Sequence, residues 1–215
     1  MAEDEPAELT KSLPRLNLVV GVSGASGAVY AERFILALTR LMRGESSLII
    51  SPAAIRIRRE ERNSKVTTPA EYLEEILSSI SPEQRGQSFV PEDHRDVGAR
   101  PASGSAPYDG MVIVPCSMKT LAALAHGYTT NLLERAGDVA LKERRKLIVV
   151  PRETPYNLVH LRNMTALTEA GGIVLPASPG FYQKPETLED LGDFIGGRIL
   201  AIFGVAHSLY SSWEG

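Results

Sequence analysis

Gly21, Gly24 and Gly27 fall at every third position of the run Val19-Val20-Gly21-Val22-Ser23-Gly24-Ala25-Ser26-Gly27. Glycine lets a backbone turn tightly and approach a ligand closely. Leu16 to Val22 is apolar and β-branched, as a buried parallel strand requires. Ala28 to Leu41 reads as a helix with Phe34, Leu38 and Leu41 on one face. A phosphate at this junction would meet backbone N–H groups and the positive end of a helix dipole. The alternative is a tight strand-to-helix turn with no ligand. The spacing is G-x-x-G-x-x-G, not the G-x-G-x-x-G of dinucleotide enzymes, and alone it names no cofactor.

Other runs offer further chemistry. In Pro115-Cys116-Ser117-Met118-Lys119-Thr120, hydroxyls and an amine at a helix start could hold a polar ring or a phosphate, or Ser117 is an ordinary N-cap. Cys116 has no histidine near it in sequence and reads as a buried inert thiol rather than a nucleophile. In Pro151-Arg152-Glu153-Thr154-Pro155, arginine suits bidentate recognition of phosphate or carboxylate. Glu153 beside it could move a proton; a structural ion pair is the alternative. Thr154-Pro155 predicts a helix start, with proline in the first helical position. Pro176-Ala177-Ser178-Pro179-Gly180-Phe181-Tyr182 presents two aromatics, either to a ligand or as a plug over the core.

Arg135 and Lys142 lie seven residues apart, nearly on one helix face. They form either an anion clamp or part of a Glu134/Asp138/Lys142 ladder on a solvated face, which the spacing favours. Arg198 falls at the edge of the last helix's apolar stripe, half-buried and needing an anion, or snorkelling to solvent. Gly196-Gly197, mid-helix, predicts close packing. The basic run Arg56 to Arg62, interrupted by Glu60 and Glu61, reads as a solvated face. His94, His126, His160 and His207 have no metal-ligand spacing, so no metal is expected, and His160 reads as a packing residue.

These groups need a scaffold. Strand patterns fall at Leu16–Val22, Ser47–Ile50, Met111–Val114, Leu147–Val150 and Gly172–Leu175. Helical patterns fall at Ala28–Leu41, about Ala70–Ile80, Lys119–Ala125, Leu132–Arg144, Tyr156–Ala170 and Leu188–Val205, with Gly171 closing the penultimate one. The alternation argues an α/β fold with a mainly parallel sheet. Ligands then bind beyond the carboxyl ends of the strands. The connection 81–105, with a short strand near Phe89, is long enough to be a lid or an intersubunit contact.

The 215 residues read as a tail at 1–14, acidic and disordered, and one domain at 15–215. At 43% hydrophobic residues a packed core is expected, and a net charge of −3 offers nothing to a nucleic acid. A lone cysteine fits a reducing, cytoplasmic setting. No run approaches the roughly 20 apolar residues that span a bilayer, so no membrane partner is expected.

From about Leu16 to Trp213 the chain resembles the flavin prenyltransferases, the UbiX-type family once called aromatic acid decarboxylases. The strings that carry the resemblance are Gly21–Ala28, Pro115–Leu121, Asp138–Arg145, Pro151–Pro155 and Pro179–Tyr182, in that order and spacing. The resemblance implies a flavodoxin-like Rossmann fold of three layers. The implied activity joins a dimethylallyl group from dimethylallyl monophosphate to N5 and C6 of reduced FMN, without a metal. It further implies a homododecamer with sites between subunits, and delivery of prenylated FMN to a UbiD-type decarboxylase.

Carried over by motif, Gly24, Ala25, Ser26, Ser51, Ser117, Met118, Lys119, Thr120 and Arg152 would contact FMN. Tyr182, Arg198, Arg135, Lys142 and Glu61 would meet the allylic phosphate or its surroundings. Ser26, Arg135, Lys142, Glu153 and Trp213 would serve the chemistry, the tryptophan through its π face. A flavin-dependent cysteine-type decarboxylase and a non-catalytic FMN carrier are the competing expectations.

Overall fold

The structure, a computed structural model, describes residues 12–211. Its strands are β1 (Leu18–Val22), β2 (Gly44–Ile50), β3 (Gln87–Glu92), β4 (Gly110–Cys116), β5 (Lys146–Pro151) and β6 (Ile173–Val174). They form one all-parallel sheet in the order β3-β2-β1-β4-β5-β6. Without the edge strand β3, this is the flavodoxin-like order. Every residue of β1 and β4 is buried, which is why both read as continuous apolar runs rather than alternations.

The helices are α1 (Ala28–Leu41), α2 (Pro52–Glu61), α3 (Pro69–Leu77), α4 (Met118–Ala125), α5 (Leu132–Lys142), α6 (Leu158–Glu169) and α7 (Leu188–Ile202). Alternate strand residues face opposite layers. Val20, Leu48, Val112 and Ile148 pack with Phe34 of α1, Tyr72 of α3 and Ile199 of α7. Val19, Ile49, Met111 and Leu147 pack with Leu121 of α4, Leu133 of α5 and Leu167 of α6. The result is the expected three layers. The order in which successive strands are added reverses between β1 and β4, so a crevice opens beyond their carboxyl ends.

The close packing predicted at Gly196-Gly197 is present. A Cβ on Gly197 would lie 2.5 Å from Tyr210 Cε1, and one on Gly196 would lie 3.7 Å from the Phe34 Cα of α1. Beside them Arg33 makes a bidentate pair with Asp193, both bonds 2.7 Å. Gly171 has φ 100°, the left-handed conformation that glycine supplies after a helix.

Four expectations change. Helix α2 was not foreseen, although Ser51-Pro52 is an N-cap followed by proline at the first helical position. Its run Arg56 to Arg62 is not wholly solvated, because Arg58 is 3% exposed. Thr154-Pro155 does not start α6, which is capped instead by Asn157, with His160 completing a capping box. Of the expected tail, residues 1–11 lie outside the described residues. Leu13 and Pro14 are held, since their carbonyls accept from Arg43 Nε at 2.8 Å and Arg43 N at 3.0 Å. Among the described residues no helix is long and apolar enough to cross a membrane.

Candidate functional site

The site begins where β1 ends. Ser23 is buried; its hydroxyl donates to Pro115 O at 3.1 Å and accepts from Ser117 N at 2.7 Å. This bond pair fastens the end of β1 to the end of β4. Ser117 caps α4, accepting from Thr120 N at 3.3 Å and donating to Thr120 Oγ1 at 3.1 Å. Ser51 caps α2 in the same way, accepting from Ala54 N at 3.1 Å.

Ser23, Gly24, Ser51, Ser117, Lys119 and Thr120 line a crevice of about 440 Å³. Its floor could not accept a larger residue at position 24, where a Cβ would lie 2.6 Å from Ala53 Cβ. All of these but Ser23 are among the residues expected to contact FMN. Met118 is different: at 7% exposure it packs into the core behind the crevice.

The far wall was not foreseen. His94, from the long connection, and Asn131, Leu133 and Glu134, from the start of α5, form it. His94 O accepts from Leu132 N at 3.0 Å, which ties that connection to α5. Glu134 is 1% exposed and bonds the Lys119 ammonium, Thr130 N at 2.8 Å and Thr130 Oγ1 at 2.9 Å. Burial pushes its carboxyl up, but the bonds from Lys119, Thr130 and Asn131 outweigh burial and hold it below the usual range. Burial pushes the His94 imidazole down; Lys119 and Arg95 add to this, and Glu134 and Asp93 oppose it. Glu134 therefore pairs with Lys119, and the expected Glu134/Asp138/Lys142 ladder does not form.

A second hollow, about 220 Å³, is lined by Arg152, Glu153, Ala177 and Ser178 at the ends of β5 and β6. Arg152 Nε donates to Ser26 O at 3.1 Å, joining this hollow to the glycine-rich turn. Glu153 accepts from Thr154 N at 3.0 Å. Arg152 and Glu153 thus turn to different partners and not to each other.

Glu61, at the end of α2, reaches the same turn. Its carboxylate accepts from Gly27 N at 3.0 and 3.1 Å and from Ala28 N at 2.8 Å. Gly27 has φ 109° and no side chain to cap α1, so Glu61 supplies the cap. The N–H groups expected to await a phosphate there are occupied by the protein's own carboxylate. Tyr30 lies between the charges of this turn. Burial pushes its phenol up, with Arg152 opposing and Glu61 adding.

The remaining expected residues stand apart within one chain. Arg135 pairs with Asp138 at 2.6 Å and Lys142 pairs with Glu143. Neither lines the two hollows described. Arg198 is exposed on α7, not half-buried. Tyr182 stacks edge-on against Phe194 at 5.9 Å, and Phe181 is 73% exposed rather than plugging the core. Trp213 lies outside the described residues. Cys116 is fully buried, and burial pushes its thiol well up, so it is an inert packing group. Among the described residues no three His, Cys, Asp or Glu side chains are grouped to hold a metal ion.

An open parallel sheet with hydroxyls, a lysine and a glycine turn at its switch point defines an α/β protein with a polar ligand crevice beyond the carboxyl ends of its strands. The profile of the Flavoprotein family matches residues 6–200. The flavin prenyltransferase UbiX of Methanothermobacter thermautotrophicus is 42% identical over 201 residues, covering 92% of this chain and 95% of its own. The crystal structure of AnUbiX (PadA1) in complex with FMN and dimethylallyl pyrophosphate matches with a TM-score of 0.81 and 36% identity, covering 94% of this chain and 98% of that one. A dodecameric FMN-dependent UbiX-like decarboxylase from Escherichia coli O157:H7 matches with a TM-score of 0.81 and 36% identity, covering 93% and 100%. The chain belongs to the Flavoprotein family and, within it, to the flavin prenyltransferases.

The residues are compatible with FMN: the Ser51 and Thr120 hydroxyls and the Lys119 ammonium are donors of the kind a phosphate ester would need.

Proposed function

We propose that the protein joins a dimethylallyl group from dimethylallyl monophosphate to N5 and C6 of reduced FMN, releasing phosphate. The observation that carries this reading is the bond from Arg152 Nε to Ser26 O. It brings the phosphate-type crevice and the Arg152/Glu153 hollow to one edge of the sheet, where two ligands could lie side by side. FMN, when bound, supplies the nucleophilic nitrogen and carbon. Ser51 and Thr120 would hold its phosphate with Ser117 beside them, and Gly24, Ala25 and Ser26 would lie against its ring.

The protein's own part is electrostatic. Departure of phosphate from an allylic carbon leaves negative charge on oxygen, which fixed cations stabilise. Arg198, Arg135 and Lys142 serve that role, and Tyr182 borders the prenyl chain. Glu153 accepts or returns one proton, at the leaving phosphate or at flavin C6. Trp213 offers an aromatic face to allylic charge.

Arg135 and Lys142 line neither hollow of their own chain. The reading therefore includes a homododecamer in which a neighbouring subunit brings them in. The product, prenylated FMN, goes to a UbiD-type decarboxylase, in a cytoplasmic setting.

The deciding experiment is anoxic incubation with reduced FMN and dimethylallyl monophosphate, followed by mass analysis of the flavin. A gain of one prenyl unit is expected; unaltered flavin overturns the reading. A parallel arm with the diphosphate ester identifies the donor.

A further inference from the structure

Helix α2 brackets the glycine-rich turn from both ends. At its start, Ser51 lines the crevice and Ala53 abuts Gly24. At its end, Glu61 holds Gly27 N and Ala28 N. Whatever fixes α2 along its length therefore fixes the turn.

One turn before Glu61, Arg58 is buried at 3% exposure. Its guanidinium bonds Glu32 Oε2 of α1 at 3.2 Å and Glu75 Oε1 of α3 at 2.8 Å, and lies 4.7 Å over the ring of Tyr72. Directly after Glu61, Arg62 bonds the other oxygen of Glu32 at 3.1 Å and Glu189 of α7 at 2.9 Å. Glu32 is thus shared by the two arginines that flank Glu61. A buried ion pair seldom outperforms an apolar replacement in stability, whereas its directional bonds fix geometry. The position asks for a side chain that can reach α1 and α3 at once, and the forked guanidinium can do so.

The geometry points to Arg58 as a positioning residue for prenyl transfer: clamped to Glu32 and Glu75, it sets the angle at which α2 delivers the Glu61 carboxylate to the Gly27 and Ala28 amides. Through Glu61 it fixes the turn on which the flavin ring must rest. This rests on the transferase reading for its functional half; the structural half stands without it.

The test uses the full chain and four variants: Arg58→Lys, Glu61→Gln, the double variant, and Glu75→Gln. Glu75→Gln is the milder perturbation, in case Arg58→Lys fails to fold. Amide hydrogen exchange at Gly27 and Ala28 reports the cap without any need for activity. Arg58→Lys is expected to speed that exchange at least about tenfold, as local opening of a cap does. Single-turnover transfer should slow about tenfold and FMN binding should weaken with it, and in the Glu61→Gln background Arg58→Lys should add nothing to either. Glu75→Gln should act in the same direction, more weakly.

Unchanged exchange at both amides overturns the proposal. So do losses in rate that multiply in the double variant, since Arg58 would then act independently of Glu61. If the unaltered chain transfers no prenyl group, the transferase reading fails, and with it the functional half. The exchange measurement still decides whether Arg58 sets the cap.

Discussion

Glu134 is a carboxylate kept charged in the wall of a crevice suited to an anion. It is held by Thr130 N and Oγ1 and by the Lys119 ammonium. Lys119 is itself 67% exposed, so water screens that pair and the Thr130 bonds matter more. The folded-state pKa of Glu134 is lowered, so its stabilisation is fully present above the ordinary carboxylate value and is lost as pH falls through the folded value. Glu134→Gln is expected to cost about 1–3 kcal/mol at neutral pH. The variant should lose less stability than the unaltered chain on acidification below about pH 4. Urea midpoints at several pH values check both. Glu153→Gln tests the proton role: single-turnover transfer should fall at least about a hundredfold with little change in flavin affinity, and an unchanged rate removes Glu153 from that role.

Ser117 and Thr120 were legible in sequence, because capping a helix and binding a phosphate call for the same short hydroxyl side chains; Ser51 came only from the resemblance, and Ser23 was not among the expected residues. Glu61 was legible only through resemblance. Its partners Gly27 and Ala28 are 34 and 33 residues away, a separation that no local pattern reports. His94 was not expected at the site for the same reason, since it meets α5 from the long connection, and Glu134 was assigned to a solvated ladder because its spacing does not reveal the Lys119 and Thr130 partners that draw it into the crevice wall.

At the scale of elements, the turn after β1 depends on the approach of α2. A methyl group at position 24 would stand 2.6 Å from Ala53 Cβ, and since neither atom sits on a flexible side chain, α2 must move. Gly24→Ala is therefore expected to destabilise the fold by about 1–3 kcal/mol, as overpacking does. It should also weaken flavin binding, because Ser51 moves with α2; chemical denaturation and flavin titration measure the two effects. Strands and long amphipathic helices were readable from periodicity. Helix α2 was not, because its exposed arginines and glutamates give little apolar pattern, and its one inward charge, Arg58, looks identical in sequence to its solvated neighbours. Thr154-Pro155 carried a valid helix-start signal, yet Asn157 with His160 offered the reciprocal cap and took its place.

At the scale of the molecule, alternation of elements was enough to foretell a mainly parallel sheet, and the resemblance added its three layers. Within a single chain Arg135 pairs with Asp138 and Lys142 with Glu143, so their proposed part in phosphate departure rests on the intersubunit sites that the resemblance implied. If a neighbour supplies them, subunits bearing Arg135→Ala and subunits bearing Arg198→Ala should each be inactive alone. Dissociated and reassembled together, they should regain activity at sites that draw each intact arginine from a different chain. A mixture that stays inactive places both arginines in one subunit's site. The cap on α1 has its own bearing on this charge distribution. Because Glu61 already neutralises the start of that helix, sulfate or chloride in the medium finds no vacancy there. The sensitivity of the protein to inorganic anions is then governed by the hydroxyl-lined crevice and the surface arginines, not by the glycine signature that first suggested an anion.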